Sequence, residues 1–246
     1  MVEPSEHANH RGAKALAAVL GVGLAGDARH MTAPHPDGRG AAAAMRAALA
    51  DAGVHAEQID MVSVHGTGTV FNDQMEAKAL RSVFSDRPVA FHGVKQAIGH
   101  TLGATGAIEA TVVVDALGSG HHPPHPQHIA ETLGLEVPDA AGPPTIALST
   151  NSAFGGANAS VVLARPGAVA PRKQSPRPVG TVEGPEVRVP PGRVDWKALW
   201  PDAPERFLRF DRYVRLGMLA LARLFEKVPP TLETGIVLAS PSGCRA

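Results

Sequence analysis

Three short glycine-rich segments, each preceded by a strand-like apolar run, most constrain what this 246-residue chain can fold into. They are VHGTGT at residues 64–69, KQAIGH at residues 95–100 and NSAFGGAN at residues 151–158. In a sheet flanked by helices, the loops that follow the strands deliver polar side chains into a crevice. The first two segments contain His65 and His100. The pattern therefore predicts an α/β fold with a histidine-containing site at one edge of its sheet.

Composition and charge exclude several classes of function. The formal net charge is zero, so nothing indicates a nucleic-acid-binding or membrane-surface protein. The single cysteine, Cys244, excludes a disulfide framework and a paired-cysteine metal site. No apolar run reaches the length of about 18 residues that a membrane span needs, and the first residues lack the order of a signal peptide. We therefore expect a cytoplasmic protein without nucleic-acid or membrane partners.

Strand-like and helical segments alternate over the first two thirds of the chain, which predicts α/β architecture. Residues 15–22 are expected to form a buried strand, although their alanines leave a helix possible. Asp37 is one possible cap of the first long helix, and Gly53 is its stop. Asp73 and Glu76 resemble a capping box for the second helix. Further strands are predicted at 61–64, 89–91, 145–149 and 160–164, and helices at 40–52, 73–84 and 103–117, the last buried on most sides.

The character of the sequence changes after Arg165. Residues 166–205 are rich in proline and have little periodicity, which is typical of an extended linker or of a strap that follows the protein surface. Residues 206–246 then carry a helical apolar stripe and a strand-like segment at 234–239, too little to bury both faces of a sheet. We predict three parts: 1–165 as the main domain, 166–205 as a linker, and 206–246 as an incomplete helix–strand segment, whose stripe is Phe207, Phe210, Val214, Met218, Leu221 and Phe225.

Two further features are interpreted as non-catalytic. The segment HHPPHPQH at residues 121–128 has the composition of a metal-binding tract, but its prolines break any helical register and no carboxylate or cysteine accompanies it. A surface loop is the favoured interpretation, and no metal site is predicted. Cys244 lies close to the C-terminal residue and lacks the strand-to-helix turn that activates a nucleophilic thiol.

The three glycine-rich segments, in this order, resemble the C-terminal half of the elongating β-ketoacyl-[acyl-carrier-protein] synthases, the condensing enzymes of fatty-acid and polyketide synthesis. HGTGTVFND is similar to the family's HGTxTxxND, KQAIGHTLGATG to its KxxxGHxxGAAG, and SAFGGAN to its GFGGTN loop. Ala153 and Ala157 replace the usual glycine and threonine of that loop. The resemblance covers residues 2–165 and implies a thiolase-like fold, of which this chain holds the C-terminal half of the αβαβα layers.

The resemblance also implies a reaction. A malonyl thioester loses carbon dioxide, and negative charge grows on the thioester oxygen, where two imidazole N–H donors stabilise it. His65 and His100 match these donors. Lys95 would add positive potential or orient a histidine through a carboxylate, for which Glu109 is the candidate. The other implied residues are Thr67 and Thr69 for the phosphopantetheine arm, Phe154 as a gate of the acyl pocket, Gly155 and Gly156 as backbone amides near the oxyanion site, and Asp73 and Asn158 as supporting residues.

The partners follow from the same resemblance. No bound cofactor is implied, because the substrate is carried on the phosphopantetheine of an acyl carrier protein. The family's nucleophilic cysteine belongs to its N-terminal half, and this chain contains no such motif. A complementary ketosynthase half, or a homo- or heterodimer partner, is therefore expected. Residues 206–246 resemble the beginning of another synthase, which suggests a reading frame that starts in one synthase and stops in the next. We expect the chain alone to be inactive; the alternative is a non-catalytic subunit, similar to chain-length factors, or a remnant.

Overall fold

The computed structural model describes residues 2–85, 87–124, 142–169 and 195–203, together with residues 215, 218, 219, 222, 223 and 226. The chain divides into two compact units, Met1–Gln174 and Ser175–Ala246. The division of the chain into the three predicted parts stays a prediction, because much of its second half lies outside the described residues.

The first unit alternates helices and strands, as the sequence predicts, and its last two described strands form a hairpin. Its strands are β1 (Ala18–Gly26), β2 (Met61–Ser63), β3 (Ala90–His92), β4 (Ile146–Ala153) and β5 (Ala157–Ala164). Its helices are α1 (Ser5–His10), α2 (Arg39–Ala52), α3 (Val70–Phe84), α4 (Lys95–Ile98) and α5 (Thr105–Ser119), with short 3-10 turns at Ala56–Gln58 and Leu102–Ala104.

The five strands form one mixed sheet in the order β1-β5-β4-β2-β3. Strand β2 pairs in parallel with both β3 and β4, whereas β4 with β5 and β5 with β1 are antiparallel. Parallel strands need crossover helices, and here α3 connects β2 to β3 while α5 lies between β3 and β4. The carboxyl ends of β2, β3 and β4 consequently meet at one edge of the sheet. This edge receives all three glycine-rich segments.

The two faces of the sheet carry separate cores. On one face, α2 and α3 pack over Val62, Phe91 and Leu148. On the other face, α5 packs over Met61 and Ala147 through Val113 and Leu117. The prediction that α5 is buried on most sides is wrong for this chain, because its buried residues form a single stripe: Thr105, Glu109, Val113, Ala116 and Leu117.

Strand β1 corrects the prediction of a buried strand at residues 15–22. It lies at the edge of the sheet, and Val22 and Leu24 are exposed while Gly21 and Gly23 are buried. A Cβ atom at Gly23 would lie 2.0 Å from the Ala44 carbonyl oxygen. The glycines therefore let the backbone of α2 approach the sheet closely, and it is this approach that buries their side of the strand.

The helix ends confirm one predicted signal and correct two. Helix α2 stops at Gly53, which has a left-handed φ of 68°. Its N-cap is Gly38 and no described side chain caps it, so the interpretation of Asp37 as a cap is wrong. The interpretation of Asp73 and Glu76 as a capping box is also wrong, since α3 begins at Val70 and places both residues inside the helix.

The described part of the second unit is small. Helix α6 (Trp196–Leu199) is capped by Asp195, whose carboxylate accepts hydrogen bonds from two backbone amides. Trp196 and Leu219 form a cluster with the partly buried Met218, and the Arg215 guanidinium lies 5.6 Å from the Trp196 ring centre. The other positions of the predicted apolar stripe, the predicted strand at 234–239, Cys244 and most of the histidine-rich segment lie outside the described residues. Among the described residues, no helix is both long and apolar enough to cross a membrane.

Candidate active site

The rings of His65 and His100 lie together at the carboxyl edge of the sheet. Their centroids are 5.5 Å apart and their planes are nearly perpendicular, at 83°. His65 lies two positions beyond the end of β2 and is 6% exposed, whereas His100 lies beyond α4 and is exposed. One histidine is thus held inside the protein, and the other lines the surface of the crevice.

The hydrogen bonds of the two rings differ. Nδ1 of His100 accepts the backbone N–H of Leu102 at 3.2 Å and lies 3.2 Å from the Thr105 hydroxyl. The neutral His100 ring therefore carries its proton on Nε2. Nδ1 of His65 faces the side-chain oxygen of Asn151 at 3.1 Å, so in this arrangement Nδ1 is the donor. The neutral His65 ring then presents a lone pair at Nε2, and the pair combines one donor with one acceptor.

Lys95 lies directly behind this pair. Its ammonium forms an ion pair with Glu109 at 2.5 Å and also donates a hydrogen bond to the His65 carbonyl oxygen. Both side chains are buried, with exposures of 3% and 0%. A buried ion pair is favourable only when hydrogen bonds satisfy its remaining atoms, and the His65 carbonyl provides one of these bonds. The contact between Lys95 and Glu109, expected from the sequence, is present.

Burial and charge keep the His65 ring neutral. Desolvation is the largest cause, and the positive charge of Lys95 acts in the same direction. The hydrogen bond that His65 donates to the Asn151 side-chain oxygen opposes both, and the resulting pKa of His65 is lowered to about 4. At neutral pH the ring therefore exchanges hydrogen bonds as an uncharged imidazole.

Glu76 is a site residue, although its spacing from Asp73 predicts a role in capping a helix. Its two carboxylate oxygens accept the backbone N–H groups of His65 at 2.6 Å and of Gly66 at 2.8 Å. The side chain is fully buried, and burial raises the pKa of Glu76 to about 7 against the opposing effect of these bonds and of Lys95. Asp73 lies nearby in α3 and accepts a hydrogen bond from Asn72 at 3.2 Å. Glu76 therefore holds the loop that carries His65.

The predicted phosphopantetheine residues lie on the exposed part of the same loop. The hydroxyl oxygens of Thr67 and Thr69 are 2.8 Å apart, and both side chains face solvent. Phe154 at the tip of the third glycine-rich segment is 78% exposed. These three side chains are therefore at least partly accessible from solvent, and their roles stay predictions.

The glycine-rich loop between β4 and β5 is tied to the loop that follows β1. Asn158 donates to Asp27 at 3.1 Å and accepts a hydrogen bond from Ser152 at 2.7 Å. The amide of Gly155 donates to the Met31 carbonyl at 2.6 Å, and that of Gly156 to the Ala153 carbonyl at 3.1 Å. Both amides are thus engaged within the protein, so the structure does not place them as free oxyanion donors. Asp27 was not identified from the sequence.

The donor set offers no metal site among the residues that the structure describes, since no group of three or more histidine, cysteine, aspartate or glutamate side chains is suitably placed. The described residues bring to the crevice two imidazoles, the Lys95 ammonium and the buried carboxylates of Glu76 and Glu109. These groups are suited to proton transfer and to the stabilisation of a developing oxyanion.

Known proteins share this arrangement of sequence and fold. The family model for the β-ketoacyl synthase C-terminal domain matches residues 16–128. The mitochondrial 3-oxoacyl-[acyl-carrier-protein] synthase of Arabidopsis thaliana is 40% identical over 181 residues, which cover 67% of this chain and 38% of the relative. The 3-oxoacyl-[acyl-carrier-protein] synthase 2 of Vibrio cholerae is 40% identical over 174 residues, which cover 67% of this chain and 42% of the relative.

Solved structures that match this chain in fold are also ketosynthases. The ishigamide ketosynthase/chain length factor matches with a TM-score of 0.57 and 38% identity over 66% of this chain and 41% of the other. A second match is the structure of a type II polyketide synthase acyl-carrier protein in complex with its ketosynthase bound to the hexaketide. It has a TM-score of 0.57 and 27% identity, and the match covers 66% of this chain and 41% of the other. This chain spans about two fifths of the length of the curated relatives, 38% and 42% of the two named. It carries the C-terminal domain of a thiolase-like ketosynthase and belongs to the β-ketoacyl synthase family.

Proposed function

We propose that this chain contributes the histidine-bearing half of an active site for decarboxylating Claisen condensation, in which an acyl thioester is extended by malonyl carried on an acyl carrier protein. The observation that carries the proposal is the pairing of His65 and His100 at 5.5 Å over the buried Lys95–Glu109 ion pair. A crevice with two adjacent imidazoles above a buried ammonium suits a reaction that develops negative charge on a thioester oxygen.

The reaction assigns a different task to each ring. When the malonyl carbon–carbon bond breaks, its electron pair forms the enolate and carbon dioxide leaves. The Nε2–H of His100 then donates to the enolate oxygen, and one well-placed donor of this kind contributes about 3 to 4 kcal/mol. His65, with its lone pair at Nε2, accepts a hydrogen bond, and Lys95 limits its protonation. Rotation of the Asn151 amide by half a turn would convert His65 into a second donor.

The substrate arm is assigned to the exposed threonines. Thr67 and Thr69 form a hydroxyl pair at 2.8 Å that can hydrogen-bond the amides of a phosphopantetheine arm. Phe154, 78% exposed, would close over the acyl chain. An acyl carrier protein is the proposed partner at this face, in line with the carrier-protein complex among the similar structures.

The nucleophilic thiol would come from a complementary ketosynthase half or from a homo- or heterodimer partner. The one cysteine of this chain, Cys244, lies outside both the family match and the described residues. We propose that the chain alone binds pantetheinyl thioesters weakly and does not condense them, because half of the reacting groups are then missing.

The test is reconstitution. The full chain would be mixed with a separately expressed N-terminal half of a similar synthase that carries the cysteine, and acyl and malonyl carrier proteins would be supplied. Appearance of the extended β-ketoacyl product only in the mixture supports the proposal. Turnover by the 246-residue chain alone, or no binding of malonyl carrier protein by the mixture, would contradict it.

A second candidate is a non-catalytic interaction subunit. It is favoured by the similar structures described as a ketosynthase with a chain length factor. In such a subunit the histidine pair would not touch a reacting group, so replacing either ring should leave the partner's decarboxylation rate unchanged. The intact set of His65, Lys95 and His100 favours the catalytic candidate.

A further inference from the structure

Three buried polar side chains below the histidine pair have unused hydrogen-bonding atoms. They are the Ser63 hydroxyl, both ring nitrogens of His92, and Oε2 of Glu109, none of which has a partner among the residues that the structure describes. Ser63 and Glu109 are 0% exposed and His92 is 2% exposed. Because buried polar groups in folded proteins are almost always hydrogen-bonded, so large an unused capacity in one place needs an explanation.

The sheet register places Ser63 and His92 side by side. Ser63 and His92 are paired residues of the parallel strands β2 and β3, so their side chains point to the same face of the sheet. Met61, two residues before Ser63, points to that face as well and packs against α5. Both polar side chains therefore face α5 rather than α2 and α3.

Helix α5 brings Glu109 close to the Ser63–His92 pair. The helix begins next to His100, whose Nδ1 lies 3.2 Å from the Thr105 hydroxyl, and it reaches Glu109 about one turn later. The Lys95 ammonium bonds both Glu109 and the carbonyl oxygen of His65, the residue two positions beyond Ser63. Glu109 therefore lies within about 6.6 Å, the rise of two strand residues, of the level of Ser63 and His92, with one oxygen on Lys95 and the other unused.

The ring of His92 has the properties of a hydrogen-bond bridge. Burial is the main cause that lowers the pKa of His92 to about 4, and the neighbouring His122 acts in the same direction. The ring is therefore neutral at pH 7, with one N–H donor and one acceptor nitrogen. A neutral imidazole beside a hydroxyl and a carboxylate oxygen can complete a chain of hydrogen bonds through a water molecule.

We propose that Ser63, His92 and Glu109, which we call the polar layer, hold internal water beneath the candidate active site, and that His92 is a positioning residue acting through this water. The water accepts or donates at Ser63 and His92 and donates to Oε2 of Glu109. This fixes the carboxylate so that its other oxygen stays on Lys95, which in turn holds the His65 carbonyl. The importance of these linked hydrogen bonds for catalysis rests on the proposed function. The hydration of the polar layer does not depend on it.

Two measurements on the full chain test the proposal without any turnover. A crystal structure at a resolution that orders internal water should show density within hydrogen-bonding distance of the Ser63 hydroxyl and Glu109 Oε2. A dry layer, or a metal cation with short oxygen contacts in that place, would overturn the proposal. The second measurement is nuclear magnetic resonance of protein labelled with ¹⁵N at histidine and lysine side chains.

In that experiment, His92→Phe replaces the imidazole by a somewhat larger ring that makes no hydrogen bonds. We expect a shift of the His65 ring ¹⁵N resonances and loss of the slowly exchanging Lys95 ammonium signal. His92→Gln, which can donate and accept, should restore both signals toward those of the unsubstituted chain. The matched control is Phe91→Leu, which alters the adjacent residue of β3 on the opposite face of the sheet.

The outcomes separate positioning from packing. If Phe91→Leu moves the His65 and Lys95 signals as much as His92→Phe does, or if His92→Phe moves neither, the positioning role is excluded. Should His92→Phe fail to fold, Ser63→Ala removes only one oxygen of the layer and is expected to shift the same signals in the same direction; unchanged signals would overturn the proposal. Failure of reconstituted condensation with these signals behaving as expected would count against the proposed function alone.

Discussion

Asn151 near the end of β4 places its side-chain oxygen 3.1 Å from Nδ1 of His65, the residue two positions beyond the end of β2. This contact joins two parallel strands at the point where the sheet opens into the crevice. It determines which nitrogen of His65 carries the proton in the neutral ring. The chemical difference between His65 and His100 therefore originates in a residue outside both histidine motifs.

Replacing Asn151 by Asp tests this contact. A carboxylate facing Nδ1 would favour the imidazolium form, so the pKa of His65 should rise from about 4 by at least one unit, as is typical for an opposite charge at this distance. Titration of the His65 ring followed by nuclear magnetic resonance measures the change. The control is Asn9→Asp, which introduces the same charge in α1. An unchanged pKa of His65 in Asn151→Asp would show that Asn151 does not control the ring.

Glu76 should be important for stability because it satisfies two buried amides at once. Glu76→Ala leaves the N–H groups of His65 and Gly66 without acceptors, which typically costs about 1 to 3 kcal/mol for each buried group. Glu76→Gln keeps one acceptor oxygen and should lose less. The free energy of unfolding in urea measures both variants. Equal stability of Glu76→Ala and the unsubstituted chain would refute the assignment of Glu76 as the anchor of this loop.

The stability of the chain should fall on acidification below neutral pH. The pKa values of His65 and His92 are lowered from 6.5 to about 4, so the unfolded state binds more protons between these values and is increasingly favoured as the pH falls. Glu76 acts in the opposite direction, because its pKa is raised to about 7 and the folded state takes up a proton as the pH falls from 7 toward 4.5. The loss of stability caused by the two histidines should exceed the gain caused by the one glutamate, because the three pKa shifts are of similar size.

Urea unfolding at intervals from pH 8 to about pH 4 measures this dependence, the lower limit being set by the histidine pKa values. His92→Phe removes one of the two acid-sensitive groups and should flatten the loss of stability between about pH 6.5 and pH 4. If the free energy of unfolding depends on pH in the same way in His92→Phe and in the unsubstituted chain, the lowered pKa of His92 is contradicted.

The close approach of α2 to the edge strand can be tested at Gly23. Gly23→Ala would place a Cβ atom 2.0 Å from the Ala44 carbonyl oxygen, so strand and helix must separate. Overpacking of this kind typically costs about 1 to 3 kcal/mol. Gly26→Ala at the end of the same strand is the matched control, since no atom lies within 4 Å of the added Cβ. Thermal unfolding should show a clearly lower midpoint for Gly23→Ala than for Gly26→Ala. A similar loss of stability in both variants would contradict the packing described for β1.

The sequence predicts the parts of the site that depend on local pattern. His65, Lys95 and His100 follow strand-like runs, so their meeting at one sheet edge can be predicted from the alternation of strands and helices. The Asp27–Asn158 contact could not be predicted in this way, because the two residues are 131 positions apart and neither belongs to a periodic pattern. Such a contact depends on which strands become neighbours, and that is a property of the whole sheet.

Glu76 shows how a local pattern can mislead. Asp73 and Glu76 have the spacing of a capping box. The apolar residues Met75 and Leu80 are compatible both with a helix that starts at Asp73 and with one that starts at Val70. The helix begins earlier, at Val70, so Glu76 lies within the helix and its carboxylate turns to the His65 loop. The exposure of β1 was missed for a related reason, since position at a sheet edge leaves no mark on the strand itself.

Decarboxylation of malonyl carrier protein by the reconstituted pair of halves tests the catalytic role of the histidine pair most directly. The full chain with His100→Ala would be compared with the unsubstituted chain, and with His121→Ala, an exposed histidine just after α5, as the control. We expect His100→Ala to release carbon dioxide at least about 100-fold more slowly, because a donor to the enolate oxygen is lost. His121→Ala should retain the full rate. An undiminished rate in His100→Ala would show that the histidine pair does not stabilise the enolate.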